Sequence, residues 1–325
     1  MNICHLDEER KDNINLFIFV NSMSEILYIF LKNNVSNHHP MKKITLFLFV
    51  AIYSINLQAQ REYLPTEEDL KVFHKTKTYI VLEDNPMSEY NFEITDAIKN
   101  YWTITPYEFI EYDEFEKKAT DPSASFLYTA TVMFEKDKSQ TRYVFLCLSL
   151  GGEYPSMDEM KDIVNIPVSY YGVEPEHYTY KLGTMVNFMQ KHVERITENP
   201  DMISQNIFKE YNDNMAEIHD KTLYLIEDEI EKSIRSEARI KAEYPYDFKL
   251  VTREEVKEAI MAKDKDVVFL HKVGPEGKKF NARVYKILIG AGDSNFYYFD
   301  YHKVSLRKPD ALLKRDLKKL GRARD

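Results

Sequence analysis

Apolar positions along the chain change their period in a fixed order, and that order occurs twice. Residues 78–82 and 223–226 are apolar runs without alternation, as expected of strands covered on both faces. A helical spacing follows each run. In the first case it joins Tyr90, Ile94, Ala97, Ile98 and Tyr101, with Pro86 suited to a first helical turn; in the second it joins Ile230, Ile234 and Ala238. Second strands begin at 106–109 and 245–248. Second helices are signalled by capping boxes, Asp113 to Glu116 and Thr252 to Glu255, in which side chains three apart satisfy free backbone donors. Hairpins are expected next, 126–134 returning as 141–150 and 267–273 returning as 280–289. Each is followed by a glycine-containing turn, a fifth strand near 166–171 or 296–301, and a closing helix. Leu182, Met185, Val186, Met189, Val193 and Ile196 form the apolar stripe of the first closing helix, and Leu313, Leu317 and Leu320 that of the second.

The recurrence extends to residue identity. Residues 221–228 (KTLYLIED) nearly repeat 77–84 (KTYIVLED), 144 positions apart. Pro106-Tyr107-Glu108-Phe109 returns as Pro245-Tyr246-Asp247-Phe248, Phe126-Leu127 as Phe269-Leu270 and Arg142 as Arg283, at offsets of 139, 143 and 141. Matches in one order at a nearly constant offset mark a tandem duplication. A weaker match of Pro65, Val72 and Phe73 with Pro200, Ile207 and Phe208 adds a short helix before each first strand. The expected fold is therefore α/β, with two tandem units over 60–198 and 199–325. Each reads β-α-β-α-β-β-β-α, its helices packed on a mixed sheet: right-handed crossovers make the first strands parallel and the hairpins antiparallel.

Upstream, residues 1–40 have no consistent periodicity. Met41-Lys42-Lys43, an apolar run over 44–57 and Gln58-Ala59-Gln60 have the basic, apolar and small-residue parts of a secretory signal. Residues 41–59 are thus expected to be a signal peptide, with Met41 the start and a product beginning near Gln60 in the periplasm or outside the cell. The rival is an uncleaved anchor, though the run is short for a membrane span. Without residues 1–59 the chain keeps 39 basic and 48 acidic residues, so the net charge stays at −9. That balance opposes general nucleic-acid binding, which needs a basic footprint. Cys147 alone remains, so no internal disulfide is expected; alternating with Tyr143 and Phe145 on an apolar strand, it reads as a buried, inert thiol.

Candidate chemistry is sparse. Asp84 and Asp228 follow the first strands, at the edge where open α/β sheets gather ligands; beside Glu83 and Glu227 they would suit a hard cation, and more plainly they cap the following helices. Six histidines follow residue 59, none at metal-ligand spacing, so no metal or cofactor is expected. His271 stands where Tyr128 stands in the first unit, a hydrogen-bonding strand position, and His271, His302 and Asp300 form a cluster specific to the second unit. Gly151-Gly152 and Gly290-Ala291-Gly292 read as turns needing positive φ rather than as phosphate loops. Tyrosines are the unusual feature: Tyr170, Tyr171, Tyr297, Tyr298 and Tyr301 flank equivalent turns and suit a surface for an envelope protein, peptide or glycan. Over 303–325 nine basic residues face three acidic ones, which offers weak contact with an anionic surface through the last helix. The expectation is an exported, non-enzymatic binding or scaffold protein of a bacterial envelope; the alternative is a secreted hydrolase with its site between the two units.

Overall fold

The computed structural model describes residues 3–6, 64–134, 140–203, 207–277 and 279–323. The expected signal peptide, with its break near Gln60, lies outside these residues. Strand β1 (Ile3–Leu6) runs parallel to residues Thr131–Phe134.

The first unit runs α1 (Glu67–Phe73), β2 (Lys77–Val81), α2 (Glu89–Tyr101), β3 (Tyr107–Ile110), α3 (Tyr112–Lys118), β4 (Ala124–Phe134), β5 (Arg142–Leu150), β6 (Lys161–Tyr170) and α4 (Leu182–Glu198). The second repeats that order as α5 (Ile207–Asn212), β7 (Thr222–Leu225), α6 (Glu237–Glu243), β8 (Phe248–Leu250), α7 (Arg253–Met261), β9 (Val267–Val273), β10 (Arg283–Gly290), β11 (Phe296–Lys303) and α8 (Lys314–Leu320). Strand order also matches: β3-β2-β4-β5-β6 in one sheet and β8-β7-β9-β10-β11 in the other. The first three strands of each path are parallel and the last two join antiparallel. The chain is thus an α/β fold of two similar units built on mixed sheets.

Side-chain faces refine the repeat. In the first unit Ile80, Leu127, Leu146 and Leu148 belong to the core that includes α2 and α4. In the second, Leu223, Leu225, Val268, Leu270 and Leu288 pack with Leu317 and Leu320 of α8 and Ile240 of α6. The sequence match pairs Ile80 with Tyr224, yet Tyr224 faces the other way; it is one residue out of register, and one residue in a strand inverts the face. The arginine match slips likewise. Opposite Tyr128 stands Cys147 and opposite His271 stands Ile287, so with those two equated Arg283 takes the place of Tyr143, not of Arg142.

Local expectations divide by mechanism. Thr252 and Glu255 form the capping box that opens α7. Asp113 and Glu116 form none: Glu111 is the residue before α3, with no side-chain cap bond. Helix α2 begins at Glu89 rather than at Pro86, because the Ser88 hydroxyl accepts the Asn91 N–H at 3.1 Å. Residues 227–229 and 232–234 form tight 3-10 turns, so the helix expected from Ile230 starts only at Glu237. The glycine turns do not use positive φ, which among the described glycines belongs to Gly172. Close approach is the reason instead. A Cβ on Gly151 would sit 2.2 Å from the Asp121 carbonyl oxygen, and one on Gly292 2.5 Å from that of Lys263, so both glycines let the same loop pass in the two units.

Helix α4 joins the units. Leu182, Met185, Val186, Met189, Val193 and Ile196 are buried as their spacing predicted, and Phe188 and Gln190 are buried too. The core containing them continues into Phe269, Ile287, Ile289 and Phe296 of the second sheet. Phe188 stacks on Phe296 with centroids 3.5 Å apart, Asn187 donates to the Ser294 hydroxyl at 3.1 Å and Lys191 to the Asp293 carbonyl at 2.6 Å. Phe188→Ala should therefore cost about 3–5 kcal/mol and lower the stability of both units in one cooperative transition. Urea unfolding followed by circular dichroism and by tyrosine fluorescence checks this; a separate early transition of one unit would show that α4 does not couple them.

Candidate functional site

The structure separates the tyrosines. Tyr297 and Tyr298 are 2% and 0% exposed, so their rings offer no binding surface. They fill the core beneath α8, where the Tyr298 hydroxyl donates to Asp300 Oδ2 at 3.0 Å and Asp316 Oδ1 at 3.3 Å, and the Tyr297 hydroxyl to Asp293 Oδ2 at 2.6 Å. Burial pushes both phenols well up from their ordinary range. Tyr170, Tyr171 and Tyr301 are half-buried. Tyr171 lies under the Arg142 guanidinium, 3.9 Å from the ring centroid, while Tyr170 meets Tyr143 edge-on at 5.5 Å and Tyr301 lies 5.8 Å from Tyr285. These two last contacts belong to the aromatic group where the sheets touch directly, with Tyr143 and Tyr285 5.6 Å apart. Cys147 is buried in the same group.

The histidine cluster is split. His271 pairs with Ile287, and His302 with Val284; three positions apart on β10, those two residues point to opposite faces, and so do the histidines. His271 faces the first unit and donates through Nε2 to the Pro167 carbonyl at 2.9 Å. Burial depresses it to about 3, with the charge of Lys181 adding to the effect. His302 shares its face with Asp300, donates to the Pro309 carbonyl at 2.8 Å and is depressed to about 4, again chiefly by burial.

On that second face sequence reasoning missed an ion-pair group, because lysine on a strand reads as solvated. Lys272 and Lys286 are ladder neighbours, standing where the first unit has Thr129 and Leu146. Lys272 pairs with Asp310 at 2.9 Å, and the wholly buried Lys286 with Asp316 at 2.7 Å. A Cβ on Gly274 would meet Asp310 Oδ1 at 2.1 Å, so glycine there admits the first pair. Asp316 Oδ2 also accepts the Leu313 N–H at 2.9 Å, which starts α8. Burial lowers the Lys286 ammonium from its ordinary value while Asp316 opposes that shift. Both lysines fasten the C-terminal segment to its sheet, and its basic residues Lys314, Arg315, Lys318 and Lys319 stay exposed.

Asp84 and Asp228 are exposed and cap nothing: Ser88 caps α2, and Asp228 pairs with Arg235 at 3.3 Å. Their surroundings differ. In the first unit Asn91 closes the sheet edge, accepting the Glu83 N–H at 2.8 Å and donating to the Glu83 and Asn85 carbonyls, each at 2.9 Å. In the second, the carboxyl ends of β7 and β8 form the wall of an open cleft of about 450 Å³. Ile226, Glu227, Asp228, Val251, Thr252, Arg253 and Glu254 line it, and the first unit adds Glu176 and His177. His177 Nδ1 lies 3.6 Å from Glu276, a contact between units. The wall is tied to α8, since Glu231 N–H donates to the Leu312 carbonyl at 2.9 Å and Leu312 N–H to that of Glu229 at 2.7 Å. Among the described residues no group of three or more His, Cys, Asp or Glu could hold a metal ion, and no helix is long and apolar enough to cross a membrane.

Searches of protein-family models, curated proteins and solved structures found no match to this chain.

Lys286→Met should destabilise the protein by about 3–5 kcal/mol, because the buried Asp316 loses its closest cation and keeps only the half-exposed Arg315 at 3.7 Å; adding Asp316→Leu should recover part of the loss. Urea midpoints of the single and double variants measure it, and a single variant within 1 kcal/mol of the parent (roughly the worth of an exposed pair) would show that the pair bears no stability. His271 gives a pH dependence of definite sign. Unfolded, it takes a proton near pH 6.5; folded, it resists one down to about 3, so stability falls with pH across that window. The loss by pH 5 is about 2 kcal/mol. His271→Gln should flatten the fall between pH 7 and 5, and an unchanged slope would place the loss elsewhere.

Proposed function

We propose that the protein is an exported, non-enzymatic binding protein of a bacterial envelope and that its ligand lodges in the cleft between the units. One observation carries this reading: a concave space of ligand size has walls from both units and lies at the carboxyl edge of parallel strands. Its lining is mainly polar, which suits a small polar molecule or the end of a peptide or glycan. Glu227 and Asp228 enter this reading as wall residues, whereas the buried Tyr297 and Tyr298 leave it. Binding without turnover fits the chemistry of the wall, for the Thr252 hydroxyl is engaged in the cap of α7 and is no free nucleophile. Export rests on the basic, apolar and small-residue pattern over 41–59.

The hydrolase alternative has one observation in its favour. His177, in the cleft wall, has the Glu276 carboxylate 3.6 Å from its Nδ1, near enough for a small movement to make it the orienting group of a general base, though the two are not hydrogen-bonded.

Thermal-shift measurements against amino acids, short peptides and oligosaccharides test the binding reading. At least one class should raise the melting temperature, and Glu227→Trp, which fills the cleft from an exposed wall position, should abolish that rise while leaving the unliganded melting temperature unchanged. A rise that survives the plug would place the ligand elsewhere. Turnover of a bound compound that disappears in His177→Ala would establish the hydrolase instead.

A further inference from the structure

Behind the cleft wall the two units bring together a second set of polar side chains. The tight turns Pro175–His177 and Thr179–Lys181 carry the end of the first unit against the start of α7. Tyr180 and Lys181 are buried there at 6% and 1% exposure, and Glu229, just beyond the wall residue Asp228, is 7% exposed. Arg253 belongs to both groups: it lines the cleft, and its charge acts on the Tyr180 hydroxyl together with those of Lys181 and Glu229. The Lys181 ammonium stands 5.1 Å from the centroid of the Tyr180 ring.

Two buried polar atoms of this set have no hydrogen-bond partner among the described residues, Glu229 Oε2 and Arg253 Nε, whereas the Tyr180 hydroxyl has the Lys181 side chain beside it. Buried polar groups are nearly always satisfied, and leaving one without a partner costs stability, so two of opposite charge at one junction between units call for a shared partner. Their chemistry describes it. Glu229 Oε2 accepts only, and Arg253 Nε donates only. The partner must therefore present a donor and an acceptor a short distance apart. Charge narrows it further, because two cations, Lys181 and Arg253, accompany one anion, Glu229, and a carboxylate would balance the excess. Outside, the rim is acidic, with Glu176, Glu227, Asp228 and Glu254 around His177 and Arg253, and so favours the approach of an ammonium.

We propose that this junction binds a small zwitterion, an amino acid or short peptide with free ends, whose ammonium meets Glu229 and whose carboxylate meets Arg253 and Lys181. The proposal rests on the reading of the cleft as a binding site and names its ligand class. Within the charge-assisted hydrogen bonds it invokes, each end of the ligand has its own partner, so each end can be tested separately.

Calorimetric titration of the protein with L-alanyl-L-alanine, its N-acetyl form, its C-terminal amide and maltotriose provides that test. The free dipeptide should bind, and either blocked form should bind at least tenfold more weakly. Glu229→Gln should erase the difference between free and acetylated dipeptide, and Arg253→Gln the difference between free and amidated, each in a variant shown by its melting curve to be folded. Should Glu229→Gln fail to fold, Arg253→Gln alone still decides the carboxylate end. Equal binding of all three dipeptides, or no binding of any in the millimolar range, overturns the zwitterion. Binding of maltotriose alone, abolished by Glu227→Trp, overturns the ligand class and keeps the cleft; dipeptide binding that persists in Glu227→Trp overturns the cleft as well.

Discussion

A helix buried on two sides governs the rest of this molecule. Helix α4 closes the first unit, yet its stripe from Leu182 to Ile196 is only one of its buried faces, because Phe188 stacks on Phe296 and Lys191 and Asn187 bond to the turn before β11. A helix closing an ordinary unit needs one apolar face and leaves the other in water. Here the second face is supplied by the neighbouring sheet, so one core runs through both units, while the core under α8 belongs to the second unit alone. That constraint fixes how the chain must leave β6: the tight turn Thr179–Lys181 before α4 lies against α7, and its Tyr180 and Lys181 are shut in at the junction.

What the amino-acid pattern made legible follows from what periodicity can carry. The order of strands and helices, the α4 stripe and the leucines of α8 were readable because burial on one side imposes a repeat of 2 or 3.6. The Thr252 box was readable for a similar reason, as its two partners lie three residues apart. The Asp113 pattern has the same spacing and forms no cap, since the backbone enters α3 two residues earlier than the pattern implies. Identity between the units located the repeat but not its register: matching Ile80 to Tyr224 is one residue out, and only the packed faces reveal it.

The candidate site was harder to read, and the reason is that its residues are defined by what crosses between distant segments. Tyr297 and Tyr298 look in sequence like Tyr170 and Tyr171, but α8 covers the first pair and the second pair stays half-exposed. Lys286 is a solvated strand residue until Asp316, thirty positions later, is seen to reach it. His271 and His302 are close in order along the unit but face opposite ways, because their partners on β10, Ile287 and Val284, stand three positions apart. Asp228 was noticed for its place at a strand end, whereas Glu229, Tyr180 and Arg253 have no local mark of any kind.

The two units resemble each other most in their sheets and least at the edge that matters for binding. After β2 the chain enters a helix of thirteen residues whose Asn91 side chain seals the loop. After β7 the equivalent stretch breaks into tight turns, held by Arg235, which donates to the Ile230 carbonyl at 3.0 Å and the Asp228 carbonyl at 3.2 Å. Those turns set Glu229 against Leu312, which leads into α8, and α8 is fastened by Lys286 to Asp316. The buried ion pair thus holds the cleft wall at one remove, through backbone bonds rather than contact. A buried pair is a costly way to fix a helix compared with apolar packing. The first unit uses apolar packing at the same place, with Leu146 where Lys286 stands, and its edge is sealed. Departure from the repeat in the core and departure from it at the cleft are therefore connected through one short run of chain, 229–231 to 312–316.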